Sequence, residues 1–456
     1  MKNNIVIFDN GAGTIKAGIA SGVLAEQEAV RLVPNAIARS KGDKATYCGH
    51  EIAKCKDYSS LHYQLPFEKG YIVDWDAEKA IWDGVFSQEV LGVNTTESSL
   101  ILTEPYFNLP NIQEIYDQFV FEEYEFSSYH RCTPASLIPY GKLLGMPPSE
   151  CMLIVDSGFS FTHVVPMINN IISWPAVKRL LDVGGKLLTN QLKELISFRQ
   201  WNMMEETYIV NHVKECCCYV STDFRKDMET MRLDSDNPIV QKYVLPDMST
   251  SRKGRLIEPG DMTLGSEQVL VMKNERLSVP EIIFRPDDIG KLIILGLEGG
   301  FDRFSGLNQS GLASTIAESI ACLPEDLQPM FWENIGLIGG NTKFPGFRGR
   351  LLSELRSLAP MYCEVRVHES NDPITEAYQS AYQFSTRPDF SNHCLTRAEY
   401  LECGSNGSRR KFCDWKMQPD MLSAHELKSQ DDHPPQHVNK RPRGRPPGNA
   451  VLTRKD

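Results

Sequence analysis

The sequence predicts an α/β protein whose two duplicated lobes face one cleft. Apolar runs typical of strands occur at 5–9, 14–19, 100–103, 152–155 and 162–166, and helical patterns occur at 77–91, 185–197, 205–223, 310–322 and 346–358. The phrases IVIFDNGAGTIKAG and LIVDSGFSFTHVVP each end an apolar strand at an acid, turn on a glycine and return as a second strand. From Asp9 to Asp156 the repeat spans 147 residues, as duplicated lobes around one cleft would require.

Composition and charge describe a folded, acidic chain. It has 456 residues, 41% of them hydrophobic, which is enough for two or more domains. Lys and Arg number 48 against 59 Asp and Glu, so the net charge is −11 and the body as a whole is not expected to bind polyanions. No signal peptide or long apolar run is present, which predicts an intracellular protein without membrane contact. Twelve cysteines without a C-x-x-C pair favour free thiols over disulfides or a zinc site.

Three further segments complete the organisation of the chain. LIGGNTKFPG at 337–346 is a third glycine turn after an apolar stretch, and it leads into a helix. Residues 227–267 are polar and interrupted, which is typical of a surface insertion. Residues 413–456 contain scattered apolar residues and two Pro-Pro pairs without a period, so we predict a disordered tail.

The glycine turns could clamp phosphate groups. Gly11 and Gly13 allow successive backbone N–H groups to point at a phosphate, and Lys16 lies across the short hairpin from Asp9. Asp9 and Asp156 could hold a magnesium ion through its retained waters. An ordinary hairpin with a solvated lysine is the better explanation of any single turn, because short glycine motifs are weak evidence. Three such turns in one chain are harder to dismiss.

Nine phrases follow one another in order over residues 5 to about 412. They are DNGAGTIKAG (9–18), IVDWDAEKAIWD (72–83), ILTEPYFN (101–108), VDSGFSFTHVVP (155–166), LDVGGKLLT (181–189), VKECCCYVSTDF (213–224), NERLSVPEIIFRP (274–286), LIGGNTKFPGF (337–347) and TRAEYLECG (396–404). This series resembles actin and the actin-related proteins. The resemblance implies an actin-like fold around a central nucleotide cleft, with one lobe formed by 1–146 and 373–412 and the other by 147–372.

Four longer phrases narrow the resemblance: DSGFSFTH (156–163), YVLPDMSTSRKG (243–254), NERLSVPEIIFRPDDIG (274–290) and LPEDLQPMFWENIGLIGGNTKFPGF (323–347). They are similar to a nuclear actin-related subunit of SWR-type chromatin remodelling complexes. That similarity implies a nuclear protein, with some cytoplasmic pool, whose partners are the remodeller ATPase subunit, a small zinc-finger subunit and the nucleosome. It also implies a role in exchanging the Z-type variant of histone two-A. Another divergent actin relative is the alternative.

Carried over residue by residue, the family's nucleotide site is largely retained. The candidate nucleotide-binding residues are Asp9, Gly11, Gly13 and Lys16 in the first turn, Asp156 and Gly158 in the second, Lys214 and Glu215 on a helix, and Gly339 and Gly340 in the third turn. The resemblance therefore permits ATP or ADP with magnesium as a structural ligand, the metal lying near Asp9 and Asp156. Alternatively the two aspartates only hydrogen-bond their own turns and the site is empty.

The catalytic residues of the family are not retained, so we predict no catalytic residue here. Phe159 replaces an acid that helps to organise metal and water in actin, and a phenyl ring accepts no hydrogen bond. Residues 131–140, RCTPASLIPY, lack the glutamine that orients the attacking water. Ala12 and Asp372 stand where actin has serine and lysine. Hydrolysis should be slow or absent, because positioning supplies much of phosphoryl-transfer catalysis. An ATPase whose nucleotide state regulates partner binding is the alternative.

Two surface segments favour a binding protein over a filament subunit. Residues 34–49 are shorter than the inter-subunit loop of actin and lack its apolar tip, which predicts no filament. The insertion at 227–267 combines apolar and basic side chains, as a protein interface does, although a solvated loop fits nearly as well. The candidate partner-binding residues are Tyr243, Leu245, Met248, Arg252 and Lys253.

The tail contains KRPRGRPPG at 440–448, which resembles the AT-hook. An extended Arg-Gly-Arg core fits a narrow, electronegative minor groove, and prolines restrict the chain to extended forms. The candidate DNA-binding residues are Lys440, Arg441, Arg443, Gly444, Arg445 and Pro446. A nuclear import signal or a merely solvated end are the alternatives. The leading hypothesis is thus a non-catalytic nuclear scaffold whose tail contacts AT-rich DNA, and a free-standing DNA-tethering protein is the least favoured.

Overall fold

The computed structural model describes residues 4–20, 30–40, 44–55, 61–145, 147–180, 182–233, 237–247, 253–258, 267–288 and 309–412. All of them belong to one structural unit, residues 1–413. The predicted tail at 413–456, including 440–448, lies outside the described residues, as do Met248 and Arg252. Within the described ranges, no helix has the length and apolar character needed to cross a membrane.

Strands are short and alternate with helices along much of the chain. In chain order they are β1 Asn4–Asn10, β2 Thr14–Ala20, β3 Arg31–Pro34, β4 Ile37–Ser40, β5 Thr46–Cys48, β6 Leu61–Gln64, β7 Phe67–Glu68, β8 Tyr71–Ile72, β9 Ser98–Thr103, β10 Ser128–Cys132, β11 Cys151–Ser157, β12 Thr162–Ile168, β13 Ile171–Ile172, β14 Lys178–Leu180, β15 Gln241–Val244, β16 Arg255–Leu256, β17 Val269–Met272, β18 Ile335–Ile338, β19 Val367–Glu369 and β20 Leu395–Thr396.

The α-helices of the described residues are α1 Trp75–Phe86, α2 Pro110–Gln118, α3 Pro134–Leu137, α4 Gly185–Arg199, α5 Thr207–Cys217, α6 Phe224–Leu233, α7 Glu275–Phe284, α8 Leu312–Ala321, α9 Gln328–Glu333, α10 Phe347–Leu358, α11 Glu376–Ser385, α12 Phe390–His393, α13 Arg397–Cys403 and α14 Ser405–Phe412. Short 3₁₀ segments occur at Gly49–Lys54, Thr95–Glu97, Ile138–Tyr140, Trp174–Ala176, Pro286–Asp288 and Gly340–Lys343, and a π-helical segment occurs at Phe119–Glu123.

Two mixed six-stranded sheets form the framework, and they share one plan. The first has the order β20-β10-β9-β1-β2-β3, and the second has the order β13-β12-β11-β18-β19 with β14 also paired to β12. In each sheet an antiparallel hairpin, β1–β2 or β11–β12, carries a parallel strand, β9 or β18, beside its first strand. A second parallel strand, β10 or β19, follows outside it. The predicted α/β fold with duplicated halves is confirmed, and the exact lobe boundaries stay a prediction.

The central strand of each sheet is buried on both faces. Side chains of a strand alternate between its two faces, so each central strand needs a core on either side. In β1, Phe8 packs into an aromatic cluster with α1, whereas Ile7, on the opposite face of the sheet, packs into a cluster with α11. In β11, Leu153 packs into the large core that includes α4, α5 and α7, whereas Ile154 packs into a separate cluster on the opposite face. Rigid, fully covered sheets therefore hold the turns that follow β1 and β11.

The helix predicted at 205–223 is shorter in the structure, where it ends at Cys217. Cys218 is extended, with φ −81° and ψ 150°. The amides beyond it bond to other segments, since Tyr219 N donates to Arg276 O at 3.0 Å and Val220 N donates to Pro345 O at 2.8 Å. Because these bonds replace helical ones, the helix does not continue, and a bend at 222–223 leads into α6.

The prediction that Tyr243 and Leu245 are exposed partner-binding residues is wrong. Strands β15, β16 and β17 form a three-stranded sheet in which Tyr243 pairs with both Leu256 and Leu270. Tyr243 is fully buried and Leu245 is 9% exposed, and both belong to the core that covers one face of β11. The apolar side chains of this segment stabilise the fold, and only Lys253 of the described candidates is exposed.

Candidate nucleotide cleft

The first glycine turn begins at Asp9, which ends β1 and is 5% exposed. The hairpin register places Asp9 opposite Lys16, and their side chains form an ion pair with Lys16 Nζ 3.1 Å from Asp9 Oδ2. Thr103, at the end of β9, donates its hydroxyl to Asp9 Oδ1 at 2.6 Å. The sequence correctly predicts that Lys16 lies across from Asp9, but both groups are already engaged with each other.

A buried polar cluster beneath this turn fixes its conformation. Asn10 Nδ2 donates to Glu78 Oε1 at 2.8 Å and to the Tyr116 hydroxyl at 3.2 Å. Trp82 Nε1 donates to the same Glu78 oxygen at 2.9 Å. Burial raises the pKa of Glu78 to about 7, and the hydrogen bonds from Asn10 and Trp82 oppose that rise only in part. Sequence reasoning missed this cluster, because an acid on an amphipathic helix is normally solvated.

The second turn presents Asp156 at the end of β11. The Tyr106 hydroxyl donates to Asp156 Oδ2 at 3.0 Å. Loss of hydration raises the pKa of Asp156 to about 6, and the negative charge of Asp9 raises it further, against the hydrogen bond from Tyr106 and the charge of Lys16. The structure therefore brings the two aspartates of the duplicated turns into one electrostatic environment, as the sequence predicts.

The third turn supports the second one. Gly339 has φ +92°, a conformation that L residues rarely adopt, and a Cβ atom there would lie 2.3 Å from Ser157 O. Gly340 then opens the 3₁₀ segment, from which Asn341 Nδ2 donates to Gly158 O at 2.8 Å. The third turn thus lies against the second, with Gly339 at Ser157 and Asn341 at Gly158. Asn341 was not predicted, although it follows the Gly-Gly pair directly.

Lys214 reaches the start of α4, where Gly185 N donates to Gly158 O of the second turn, and its ammonium group is fully engaged within the protein. Its ammonium group donates to Gly185 O at 3.1 Å, Thr189 Oγ1 at 2.9 Å and Asn211 Oδ1 at 2.9 Å. An ammonium group has three N–H donors, so these bonds account for all of them. Burial lowers the pKa of Lys214 to about 8. Glu215 is exposed and accepts a bond from Asn211 Nδ2 at 2.7 Å.

Phe159 belongs to the second turn, and its ring lies against the first turn. A Cβ atom added to Gly13 would be 2.9 Å from Phe159 Cγ and 3.1 Å from Cδ2, so the ring is in contact with the first turn. Behind it, Lys186 N donates to Phe159 O at 2.8 Å, and Gly184 approaches so closely that a Cβ would lie 2.6 Å from the same oxygen. In this arrangement no phosphate group fits between Gly13 and Phe159.

Metal ligands are also few in this cleft. Among the described residues, no group of three or more His, Cys, Asp or Glu side chains is placed to hold a metal ion. Asp9 is paired with Lys16, and Phe159 supplies no oxygen that could accept a hydrogen bond from a metal-bound water. Magnesium keeps several waters and needs only one or two carboxylates besides the phosphates, so Asp9 and Asp156 could still hold it, whereas the contact of Phe159 with Gly13 leaves no space for a phosphate between those two residues.

Comparison with known proteins identifies the family. A family model described as actin matches residues 1–413. The chain belongs to the actin family. An actin-like protein ARP6 of Cryptococcus neoformans is 48% identical over 434 residues, covering 90% of this chain and 84% of the relative. An actin-like protein ARP6 of Yarrowia lipolytica is 38% identical, covering 89% and 97% respectively. Actin-related protein 6 of Drosophila melanogaster is 34% identical, covering 90% of this chain and all of the relative.

These matches confirm the resemblance drawn from the sequence phrases, including the similarity to proteins named actin-related protein 6. Members of the actin family typically bind a nucleotide in the cleft. This chain keeps the three glycine turns of that cleft, but the Phe159 ring lies against Gly13, and Lys214, a candidate nucleoside contact, is fully engaged within the protein.

Proposed function

We propose that this chain is a non-catalytic, non-polymerising nuclear scaffold subunit of a SWR-type remodelling complex. In that complex it would contact the remodeller ATPase subunit and a small zinc-finger subunit while the Z-type variant of histone two-A is exchanged into nucleosomes. The names of its relatives support the assignment to this group of proteins. The single observation that favours binding over catalysis is the contact of the Phe159 ring with Gly13.

The chemistry of the cleft supports this choice. An ATPase must position a water molecule and compensate the charge that develops on the transferred phosphoryl group. Phe159 can do neither, and the segment 131–140 offers no glutamine. In that segment Arg131 forms buried ion pairs with Glu104 and Asp117, so its charge is already committed to the core. The scaffold proposal requires none of these catalytic functions.

Hydrolysis of ATP by the purified full-length chain tests the non-catalytic part. We expect turnover at background, and we expect Phe159→Asp to raise it measurably, while Phe198→Asp at a 67% exposed position leaves it unchanged. Turnover equal to that of actin measured side by side, with no effect of Phe159→Asp, would contradict the proposal.

Purification of the tagged chain from native nuclei tests the assembly part. We expect the remodeller ATPase subunit and a small zinc-finger subunit to be recovered in stoichiometric amounts. Recovery of the chain alone, or with cytoskeletal proteins only, would overturn the assignment to a remodelling complex.

An actin-like ATPase whose nucleotide state regulates partner binding is a second candidate. Retention of Asp9, Lys16 and Asp156 in one cleft favours it, since these residue types hold phosphate and magnesium elsewhere in the family. The two candidates differ in one observable, because a nucleotide switch requires that Mg-ATP change the affinity for a partner. Equal affinity for the purified partner with and without Mg-ATP supports the scaffold.

We further propose that the tail binds AT-rich DNA through 440–448. The Arg-Gly-Arg core and its flanking prolines match the extended form that a narrow minor groove accepts. Binding of the full chain to an AT-rich duplex should weaken with Arg443→Ala and Arg445→Ala and should fall steeply with salt. Arg454→Ala, a basic tail position outside the motif, is the matched control. Unchanged affinity in both motif variants leaves only a nuclear import signal.

A further inference from the structure

Two aromatic residues of the β11–β12 hairpin reach toward the other half of the molecule. Phe159 contacts Gly13 of the β1–β2 turn, as described above. Phe161, two residues later, is 6% exposed and contacts the turn between β7 and β8. A Cβ atom at Gly70 would lie only 2.0 Å from Phe161 Cε2, and Gly70 has φ +74°. Glycine at this position permits both the turn and the close approach of the ring.

Arg179 of β14 completes the second contact. Its guanidinium carbon lies 3.4 Å from the centroid of the Phe161 ring, so the planar cation stacks on the ring. Arg179 Nη1 also donates to the Tyr71 hydroxyl at 3.0 Å. Tyr71 lies on β8, immediately after Gly70, and its ring is 6.5 Å from that of Phe161. The guanidinium therefore joins Phe161 to the β7–β8 turn by stacking on one side and hydrogen bonding on the other.

A third set of contacts joins the ends of β9 and β11. The Tyr106 hydroxyl donates to Asp156, and the Tyr106 ring lies 4.4 Å from the His163 ring. Next to it, the Phe107 and Trp174 rings are 5.4 Å apart. Tyr106 and Phe107 follow β9 of the first sheet. Asp156 and His163 lie in the β11–β12 hairpin of the second sheet, and Trp174 follows β13 of the same sheet. The first set thus joins the turns of the two six-stranded sheets, the second joins the second sheet to the separate β7–β8 hairpin, and the third lies in a buried cluster that includes Ile154 of β11.

We propose that these contacts form an aromatic latch that holds the cleft closed without a nucleotide. The latch is defined by Phe159 on Gly13, Phe161 between Gly70 and Arg179, and the Tyr106–Asp156 bond. In a nucleotide-binding cleft, opposed phosphate loops can be held together by shared contacts to one ligand. Here the side chains make the contacts directly, so closure is a property of the chain alone.

The consequence is a fixed arrangement of the two halves. A partner that binds both halves then meets a preorganised surface and loses no affinity to a minority closed state. The benefit of a fixed arrangement for partner binding rests on the scaffold function proposed above. The latch itself can be tested without any partner. If the tests of the latch fail, the purification from nuclei can still recover the remodeller subunits. If that purification fails, the tests of the latch are unaffected.

The response of the full chain to Mg-ATP is the first test. Small-angle scattering and thermal unfolding are measured with and without millimolar Mg-ATP, with actin as the positive control. We expect neither the radius of gyration nor the midpoint of unfolding to change. A decrease in radius on adding Mg-ATP would show that the free cleft is open and that the nucleotide closes it, which would overturn the proposal.

Hydrogen exchange of latch variants is the second test. Phe161→Ala should make the amides of 70–72 and 156–163 exchange about tenfold faster, because they would be exposed by local opening of the cleft. Phe198→Ala, the same change at an exposed position, should leave these rates unchanged. If Phe161→Ala does not fold, Arg179→Gln removes the stacking cation and gives the same readout. Unchanged exchange in whichever latch variant folds would refute the latch.

Restoring space is the third test. Phe159→Gly removes the ring from Gly13 and should allow Mg-ATP to raise the midpoint of thermal unfolding, whereas we expect no such rise in the original chain. No gain of response in a folded Phe159→Gly variant would show that the ring is not what prevents the nucleotide from bridging the cleft.

Discussion

Replacing Glu78 with glutamine should stabilise the protein at pH 8. The carboxyl group is completely buried beneath the first glycine turn, and burial raises its pKa from the ordinary value of 4.5 to about 7. At pH 8 the folded state must therefore hold a buried anion whose solvation is poor. Glutamine keeps an oxygen for the bonds from Asn10 and Trp82 and carries no charge.

The magnitude follows from the difference between the folded and unfolded pKa of Glu78. The folded state binds the proton more tightly, so the contribution of this group to stability falls as pH rises from about 4.5 to about 7 and is constant above that. At about 1.4 kcal/mol per pH unit the loss amounts to about 3 kcal/mol at pH 8. Glu78→Gln should recover most of that free energy at pH 8 and be nearly neutral at pH 4.5.

Urea unfolding at pH 5, 6.5 and 8 measures the effect. Two other carboxyl groups, the half-buried Asp156 and the buried Asp117, also have a pKa raised to about 6, so they too lower the stability of the original chain as pH rises. The difference between variant and original at each pH therefore isolates Glu78. Glu89→Gln is the control, since Glu89 is exposed and Lys54 lowers its pKa. Equal pH slopes for the variant and the original chain, or a less stable variant at pH 8, would refute the reasoning.

Four further single substitutions and one double variant test the core and the turns, each read out by urea unfolding at neutral pH. Tyr243→Ala should cost about 3–5 kcal/mol because the ring is fully buried, and a cost near zero would restore the prediction that this segment is a surface. Arg131→Met should cost about 3–5 kcal/mol, because it leaves Asp117 buried without its cation, and adding Asp117→Leu should recover part of it. Gly184→Ala should cost about 1–3 kcal/mol, since its Cβ would meet the Ser160 carbonyl carbon at 2.5 Å. Gly349→Ala, in open space within α10, should instead stabilise by up to about 1 kcal/mol, and equal effects of the two alanines would contradict the packing argument.

The hairpins and their turns could be predicted from the sequence because their determinants are local. A short apolar run, an acid and a glycine occur within ten residues of one another in IVIFDNGAGT. The pairing of Asp9 with Lys16 then follows from the register of a short turn. Repetition of the same phrase near Asp156 was enough to predict two related sheets.

Burial of Tyr243 could not be predicted in this way. Its strand is four residues long, and its neighbours are Leu256 and Leu270, on strands separated from it by loops. The segment therefore shows apolar content without a readable period, and apolar side chains in a polar stretch indicate an interface and a small sheet equally well. The cluster of Asn10, Glu78 and Tyr116 was missed for a similar reason, because its members meet only after the first sheet and α1 have packed.

Phe159 shows a different limit of sequence reasoning. Its identity alone shows that the second turn lacks the carboxylate that actin has at this position. The contact with Gly13, 146 residues earlier in the chain, depends on how far the two halves close and appears in no local pattern. The sequence thus predicts the absence of a catalytic group, whereas the structure shows a new packing contact in its place.

The retained polar residues of the cleft can be explained without retained catalysis. Buried polar groups remain in folded proteins when they have partners, and removing one partner leaves the others unsatisfied at a cost of about 1–3 kcal/mol. Lys214 donates hydrogen bonds to three oxygens around Gly185. Asp9 forms an ion pair with Lys16 and accepts a hydrogen bond from Thr103. Each of these residues therefore stabilises a glycine turn whether or not a phosphate is bound. It follows that the presence of Lys214 or Asp9 is weak evidence for a nucleotide, and that the Phe159 side chain, which makes no hydrogen bond in the second turn, is the more informative residue for the proposed lack of catalysis.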